Sequence, residues 1–457
     1  MMTTTNPRKP YLFAAFFSLA VATLAVLLSP SAANAQQEMY PKKEGIEQPL
    51  HLKTVPAWIT FTGETRERTE EQTALGYVSG KDRLYELVRQ RGAIEMRNTT
   101  WLTFYAQFHD LHALGLPLAD TASNMRDTFD LRQGYFNLHY NKSAQLMVGR
   151  KELKYGDERV VGISDWTQTS RTWDGIYLRL VQGKTAADLF STSVVIIQPS
   201  SYDTHGAGLT FHGIEVTNTS LPGTSLQPFV LIRAYPRVKS QEGTYGSETE
   251  TTFGTAWESQ LPSHFDTSGT LDLQRGSYSV DSIHAGSAIL RLGYVVPQVP
   301  WRVHLQGEYD YATGNSHNTT SRIRTFDQQY PSNHNAFGLV DLLGFENIKQ
   351  RRANLFFEPK KNVLLLFQGE SLHVANVHDS VYNGGAGTIV TAPAGGYLHD
   401  DIGAGFDASA KYIWAKSYVG NFGVGHFFPG YVMTSRSKPA PLTLIYAQIT
   451  YRFKIDH

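Results

Sequence analysis

Residues 301–311 read Trp-Arg-Val-His-Leu-Gln-Gly-Glu-Tyr-Asp-Tyr. Trp301, Val303, Leu305, Tyr309 and Tyr311 fall on one side of a two-residue period, and Arg302, His304, Gln306, Glu308 and Asp310 on the other. That is the alternation of an extended strand with two unlike faces. A soluble sheet can give it too, so one run decides little. Charges that recur on the polar face of strand after strand suit a wet lumen better than a core. Outward from this run, about eighteen such segments follow one another between residues 58–68 and 441–453. Eight short turns rich in Pro, Gly, Asn and Lys alternate with nine longer polar stretches, among them 69–87, 110–130, 151–172, 313–349 and 374–400. Short turns on one side, long loops on the other and an even strand count describe a closed membrane-spanning sheet. The pattern predicts an all-β fold, a transmembrane antiparallel β-barrel of about 18 strands.

The N-terminus speaks to compartment. Arg8 and Lys9 precede the apolar stretch Tyr11–Leu28, which is followed by Ser29-Pro30 and the small-residue site Ala33-Asn34-Ala35. This three-part layout predicts a cleavable secretory signal over 1–35, with the mature chain beginning at Gln36 and one barrel domain over 36–457. Tyr11–Leu28 is long enough to raise a retained anchor as the rival reading, and the A-x-A site after Pro30 argues against it. Later segments lack an apolar run of helical-span length.

Composition agrees. The 24 Tyr, 24 Phe and 39 Gly suit aromatic interface girdles and tight turns. Cysteine is absent, so neither disulfides nor thiolate metal sites hold the fold. The chain balances 41 basic against 41 acidic residues; without Arg8 and Lys9 the balance is 39 against 41. Selectivity must then come from where charges sit, because the total supplies no steering field. Nothing points to nucleic acid. The last strand alternates Ile445, Ala447, Ile449, Tyr451 and Phe453 with Tyr446, Gln448, Thr450 and Arg452, an ending suited to outer-membrane assembly machinery, although Lys454–His457 extend beyond the usual aromatic terminus.

Several segments resemble the alginate export family of eighteen-stranded outer-membrane barrels. The clearest is Gly149-Arg150-Lys151-Glu152-Leu153-Lys154-Tyr155-Gly156-Asp157-Glu158-Arg159, continuing through Asp165-Trp166, Arg171 and Trp173 to Asp174-Gly175. Others are Glu308–Gly314, Phe326-Asp327-Gln328-Gln329-Tyr330-Pro331, His334, Gly338-Leu339 and Gly425-His426-Phe427-Phe428-Pro429-Gly430. The resemblance implies a channel for an anionic or polar, alginate-like polysaccharide. Its expected partners are outer-membrane lipids, the saccharide or smaller solutes, and a periplasmic protein that delivers polymer. A general or small-molecule porin of the same architecture is the alternative, and an enzyme or adhesin acting through extracellular loops is a reading of another class.

Polyuronate cargo asks for arginine, whose planar fork pairs bidentately with carboxylates and keeps its charge. Candidate lumen arginines on the strands are Arg66, Arg68, Arg179, Arg233, Arg291, Arg302 and Arg452. Arg150, Arg159 and Arg171 are expected in a constricting loop, held by Asp157, Glu158 and Asp174, with Glu308 and Asp310 as carboxylates of the wall. The bland reading is that wall arginines merely satisfy carboxylates across strands. Enzyme signals are weak: Ser371, His373 and His378 assemble into no triad on sequence grounds, and His399-Asp400-Asp401 reads as an exposed loop end in preference to a calcium loop. No cofactor and no metal site is expected.

Overall fold

The computed structural model describes residues 48–240, 242–316, 321–334, 336–434 and 439–457. The expected signal over 1–35 lies outside the described residues. Eighteen strands form the barrel: β1 (Ile59–Thr73), β2 (Arg83–Met96), β3 (Leu102–Leu114), β4 (Asp127–Tyr140), β5 (Ala144–Lys151), β6 (Trp173–Gln182), β7 (Thr185–Ile196), β8 (Thr210–Asn218), β9 (Thr224–Lys239), β10 (Tyr245–Gln260), β11 (Phe265–Tyr278), β12 (Asp281–Val295), β13 (His304–Ala312), β14 (Ile348–Lys360), β15 (Val363–Val374), β16 (Asp401–Trp414), β17 (Tyr418–Pro429) and β18 (Leu442–Asp456). Each pairs antiparallel with the next, and β18 closes on β1 from Phe61↔Ile455 to Thr73↔Thr443. Closure leaves no barrel edge with unpaired backbone groups, which lipid could not satisfy.

Burial runs opposite to that of a soluble sheet. On β13 the polar face is hidden, with Glu308 5% and Asp310 0% exposed, while Leu305 and Tyr309 on the apolar face are 46% and 38% exposed. The exposed apolar side chains Leu271, Leu273, Leu290, Leu292, Phe406, Ile445 and Ile449 continue this outer band around the wall. Apolar residues therefore face lipid and polar ones face inward.

The long-loop ends of several strands rise further than the alternation alone predicts. β1 continues to Thr73 and β2 begins at Arg83, with Arg66 opposite Arg89 and Glu70 opposite Tyr85 in register. At the other end, the run that opens at Trp301 enters the sheet only at His304, because Trp301 and Arg302 turn with φ of 75° and 41°. Lys454–Asp456 stay inside β18, with Lys454 and Ile455 paired with β1 and all three paired in parallel with a short strand at Gln48–His51. The added terminus thus reinforces the seam.

Candidate functional site

Two long loops cross the lumen. Residues 152–172 join β5 to β6, and 313–347 join β13 to β14. They lie back to back: Tyr330 donates its N–H to Val160 O at 3.0 Å, Gly162 to Tyr330 O at 2.7 Å, and Ser332 to Glu158 O at 2.8 Å. Trp166 stacks on His334 with ring centroids 3.5 Å apart and planes 4° from parallel. Val161, Phe326, Tyr330, Phe337 and Phe345 supply the apolar packing between the loops and the wall. Gly156 and Glu158 take φ of 54° and 64° to reverse the first loop, and the Glu158 carboxylate accepts the Ile163 N–H at 3.1 Å to brace the reversal.

The first loop touches two sectors of wall with opposite chemistry. Arg159, 2% exposed, donates to Glu308 at 2.6 Å and to Asp310 at 3.0 Å. Arg352 and Arg291 converge on the same Glu308 at 2.6 and 3.2 Å, and Arg291 also reaches Asp157 at 2.8 Å. Six residues on from Arg159, Asp165 meets Arg89 at 2.9 Å, Arg91 at 3.2 Å and Arg66 at 3.6 Å. Arg66 further donates to Asp165 O at 2.7 Å and Thr167 O at 3.1 Å, and Arg68 to Trp166 O at 2.8 Å. The Arg68 guanidinium lies over the Trp166 ring, 3.6 Å from its centroid.

This β18–β1–β2 sector is basic. Glu64 accepts from Arg89 at 2.6 Å and Arg452 at 3.0 Å, and Glu70 from Arg68 at 2.7 Å. Five guanidiniums, those of Arg66, Arg68, Arg89, Arg91 and Arg452, thus share three carboxylates, Glu64, Glu70 and Asp165. Arg68, Glu70, Arg83, Trp166 and Gln168 border a cavity of about 300 Å³. Elsewhere the second loop docks by Asp327 on Arg233, by Ala336 O on Arg352 at 2.9 Å, and by the Leu339 N–H on Asp407 at 3.0 Å.

The remaining sequence candidates fall in different places. Arg150 and Asp174 pair at 2.7 Å on the side of the sheet that exposes Val148 and Ile176, so they sit on the outer face; Lys151, one residue on, turns inward over the Tyr177 ring. The expectation that this pair lines the lumen gives way to strand parity, which sends neighbours to opposite faces. Arg171 is in the crossing, but its guanidinium is bonded to the carbonyls of Gly162, Tyr330 and Pro331 at 2.7, 2.7 and 3.1 Å, which makes it a clamp between loops. Arg179 pairs with Asp188 at 2.6 Å near the short-turn end, partly open to solvent. Arg233 binds Glu248 at 2.8 Å as well as Asp327. Arg302 lies in the turn before β13, half-exposed and 3.3 Å from Glu358, not on the wall. Arg89, Arg91, Arg352 and the inward role of Asp165 were missed, although Arg83, Arg89 and Arg91 share one parity on β2 and could have been read as one face.

His334 and Asp341, both in the second loop, are electrostatically opposed. Burial drives the His334 imidazole well below its ordinary pKa, and Arg68 and Arg66 push the same way. Burial, then Glu70, pushes Asp341 up to about 6 against Arg68.

Ser371, His373 and Asp400 do come together: Ser371 Oγ is 2.9 Å from His373 Nε2, and His373 Nδ1 is 3.3 Å from Asp400. Ser371 and His373 are two apart on β15, so they share its outward face. Lys349 takes the other Asp400 oxygen at 2.7 Å, and the backbone around Ser371 is laddered to β14 and β16 on both sides. An acyl-transfer site needs uncommitted donors beside its nucleophile.

Comparison with known proteins agrees with this geometry. Among solved structures the chain is similar to Pseudomonas aeruginosa OccK11 (OpdR), with a TM-score of 0.58 at 10% identity over 90% of this chain and 99% of that one. Acinetobacter baumannii OccAB4 gives a TM-score of 0.59 at 10% identity, covering 87% of this chain and 98% of that one. The outer membrane protein opdK from Pseudomonas aeruginosa gives 0.58 at 8% identity, covering 87% and 98%. At such identities these likenesses establish the fold alone. No curated protein sequence matches. The family model for alginate export matches residues 57–440, which takes in β1 through β17 and nearly all of the last connection. A closed eighteen-strand barrel that matches this model over most of its length is an outer-membrane channel, and the chain belongs to the alginate export family.

Proposed function

We propose that the barrel lets anionic solutes, an alginate-like polysaccharide among them, diffuse passively across the outer membrane along the β18–β1–β2 sector. The observation that carries this reading is the five guanidiniums sharing three carboxylates, of which Arg68 borders the 300 Å³ cavity. A carboxylated sugar leaving water needs each hydration bond replaced, and arginine forks replace them two at a time. Several sites of modest strength permit hand-over along the wall, where one tight site would stall it. Arg233, Arg291 and Arg352 are each engaged by nearby carboxylates, so they add less to an anion path.

Cargo size favours a second reading. A 300 Å³ space lies at the low end of small-molecule sites, roughly 300–1,000 Å³. A small anion fits beside the docked loops; a polymer passes only once 152–172 and 313–347 swing aside. The test is reversal potential across a planar bilayer in a salt gradient, wild type against Arg66→Gln/Arg89→Gln, followed by uronate oligomers of rising length. Anion preference that falls in the variant, with current block by oligomers, supports the polymer channel. Block by monomers alone supports the small-solute channel. Selectivity equal in wild type and folded variant sinks both.

A further inference from the structure

The extracellular rim of β4 lacks a strand on one side. β5 pairs only with Gly134–Tyr140, so Asp127–Gln133 have no β5 neighbour. The loop 197–209 is tied to this stretch: Asp203 donates its N–H to Asp130 Oδ2 at 2.6 Å. There His109 of β3, Asp127 of β4 and Asp203 of the loop each present one potential ligand atom, and these atoms lie within 4.8 Å of one another. His109 and Asp127 are 2% exposed and Asp203 9%. His109 Nε2 and Asp127 Oδ2 are 2.9 Å apart, within hydrogen-bond distance.

Two further facts point to a ligand. Asp127 Oδ1 and His109 Nδ1 are buried without a hydrogen-bond partner. Asp130, 4% exposed, adds a third carboxylate, yet among the described residues the cluster's ion pairing is with His109 alone. The nearby Arg150 spends its guanidinium on Asp174 and on the carbonyls of Leu131 and Asp203. Buried carboxylates persist when they are paired or when they coordinate a metal.

We propose that His109, Asp127 and Asp203 form a site for one divalent first-row transition cation of the Zn²⁺ type, with water filling its remaining positions. One imidazole nitrogen beside two carboxylate oxygens suits such ions, whereas Ca²⁺ and Mg²⁺ prefer oxygen throughout. The cation staples loop 197–209 to the rim over the unpaired part of β4. It adds a directly bonded counter-charge to carboxylates that Arg126 and Arg150 attract without pairing with them.

The test uses the full barrel, purified without a polyhistidine tag, stripped with EDTA and checked for heat-modifiable mobility. Titrated with Zn²⁺ in a calorimeter, the wild type binds one equivalent at least about tenfold tighter than His109→Ala, Asp127→Asn or Asp203→Asn. Zn²⁺ also protects residues 197–209 from protease in the wild type and not in Asp203→Asn. That loop variant leaves the strands unchanged, so it decides the matter even where the strand variants fail to fold. Equal Zn²⁺ affinity in wild type and Asp203→Asn overturns the site, and so does Ca²⁺ protecting the loop as well as Zn²⁺ does.

Discussion

The loop 152–172 is held at its two ends by different kinds of bond. At the basic sector the wall supplies the donors and the loop supplies mostly main-chain oxygen, from Asp165, Trp166 and Thr167, with the Asp165 carboxylate added. At the acidic sector Glu308 and Asp310 accept from the loop, which brings Arg159, and the wall adds one donor of its own, Arg291 to the loop's Asp157. Any loop sequence has carbonyls to offer an arginine with five N–H donors. Few sequences place a guanidinium between two buried carboxylates. The basic contact is therefore the more redundant of the two, and the acidic contact rests chiefly on Arg159, with Arg291 to Asp157 beside it.

The largest effect should follow at the acidic end. Arg159→Met leaves Asp310 without its hydrogen-bond partner, its other oxygen being unpaired already, while Glu308 keeps Arg291 and Arg352. Stranding a buried charge costs about 3–5 kcal/mol. The loop should release, seen as a several-fold rise in single-channel conductance and as protease cleavage within 152–172. Adding Asp310→Asn removes the stranded charge and should restore much of the docking. A variant with wild-type conductance and an uncut loop would show that the acidic end does not hold the strap.

Asp165→Asn should do less. Arg89, Arg91 and Arg66 lose a carboxylate, but the carbonyl contacts of Arg66 and Arg68 remain. The cost is about 1–3 kcal/mol, so the loop stays docked. The freed guanidiniums should raise anion preference, measured as a shift of reversal potential that shrinks with added salt. Release of the loop, on the scale of Arg159→Met, would break the claimed asymmetry.

Much of this could be read from alternation and little of it from motif. The period of His304–Asp310 and its seventeen counterparts located every barrel strand, because inward and outward faces differ so sharply in polarity. The same parity, followed residue by residue, would have turned Arg150 outward, but its place in the best-matched segment drew it into the pore. Arg159 was placed in the crossing, and its partners Glu308 and Asp310 were both named, yet their joining across some 150 residues is set by loop packing that no local pattern encodes. His109, Asp127 and Asp203 meet for a similar reason, across a gap that arises because β5 is short.

The smallest effect distinguishes the loops by pH, at the face where His334 lies on Trp166. The docked imidazole has a pKa below its ordinary 6.5, so the released loop binds the proton more readily; docking from this group is complete above about pH 6.5 and weakens as pH falls. Asp341 has the opposite sign. Its docked carboxyl, near 6 against an ordinary 3.8, holds the proton better than the released one, so docking gains as pH falls through about 6. His334 Nδ1 and the Asp341 carboxylate lie 3.9 Å apart, and between about pH 6 and 4 their contributions offset, each limited to about 1.4 kcal/mol per pH unit. The wild-type channel should change its closed fraction little over that interval. Asp341→Asn should expose acid-driven opening, and His334→Gln should leave acid-driven closing. Single-channel records from the two variants must diverge on acidification; if both move the same way, neither group sets the docking of the two loops, and the pH response belongs to other carboxylates of the lumen.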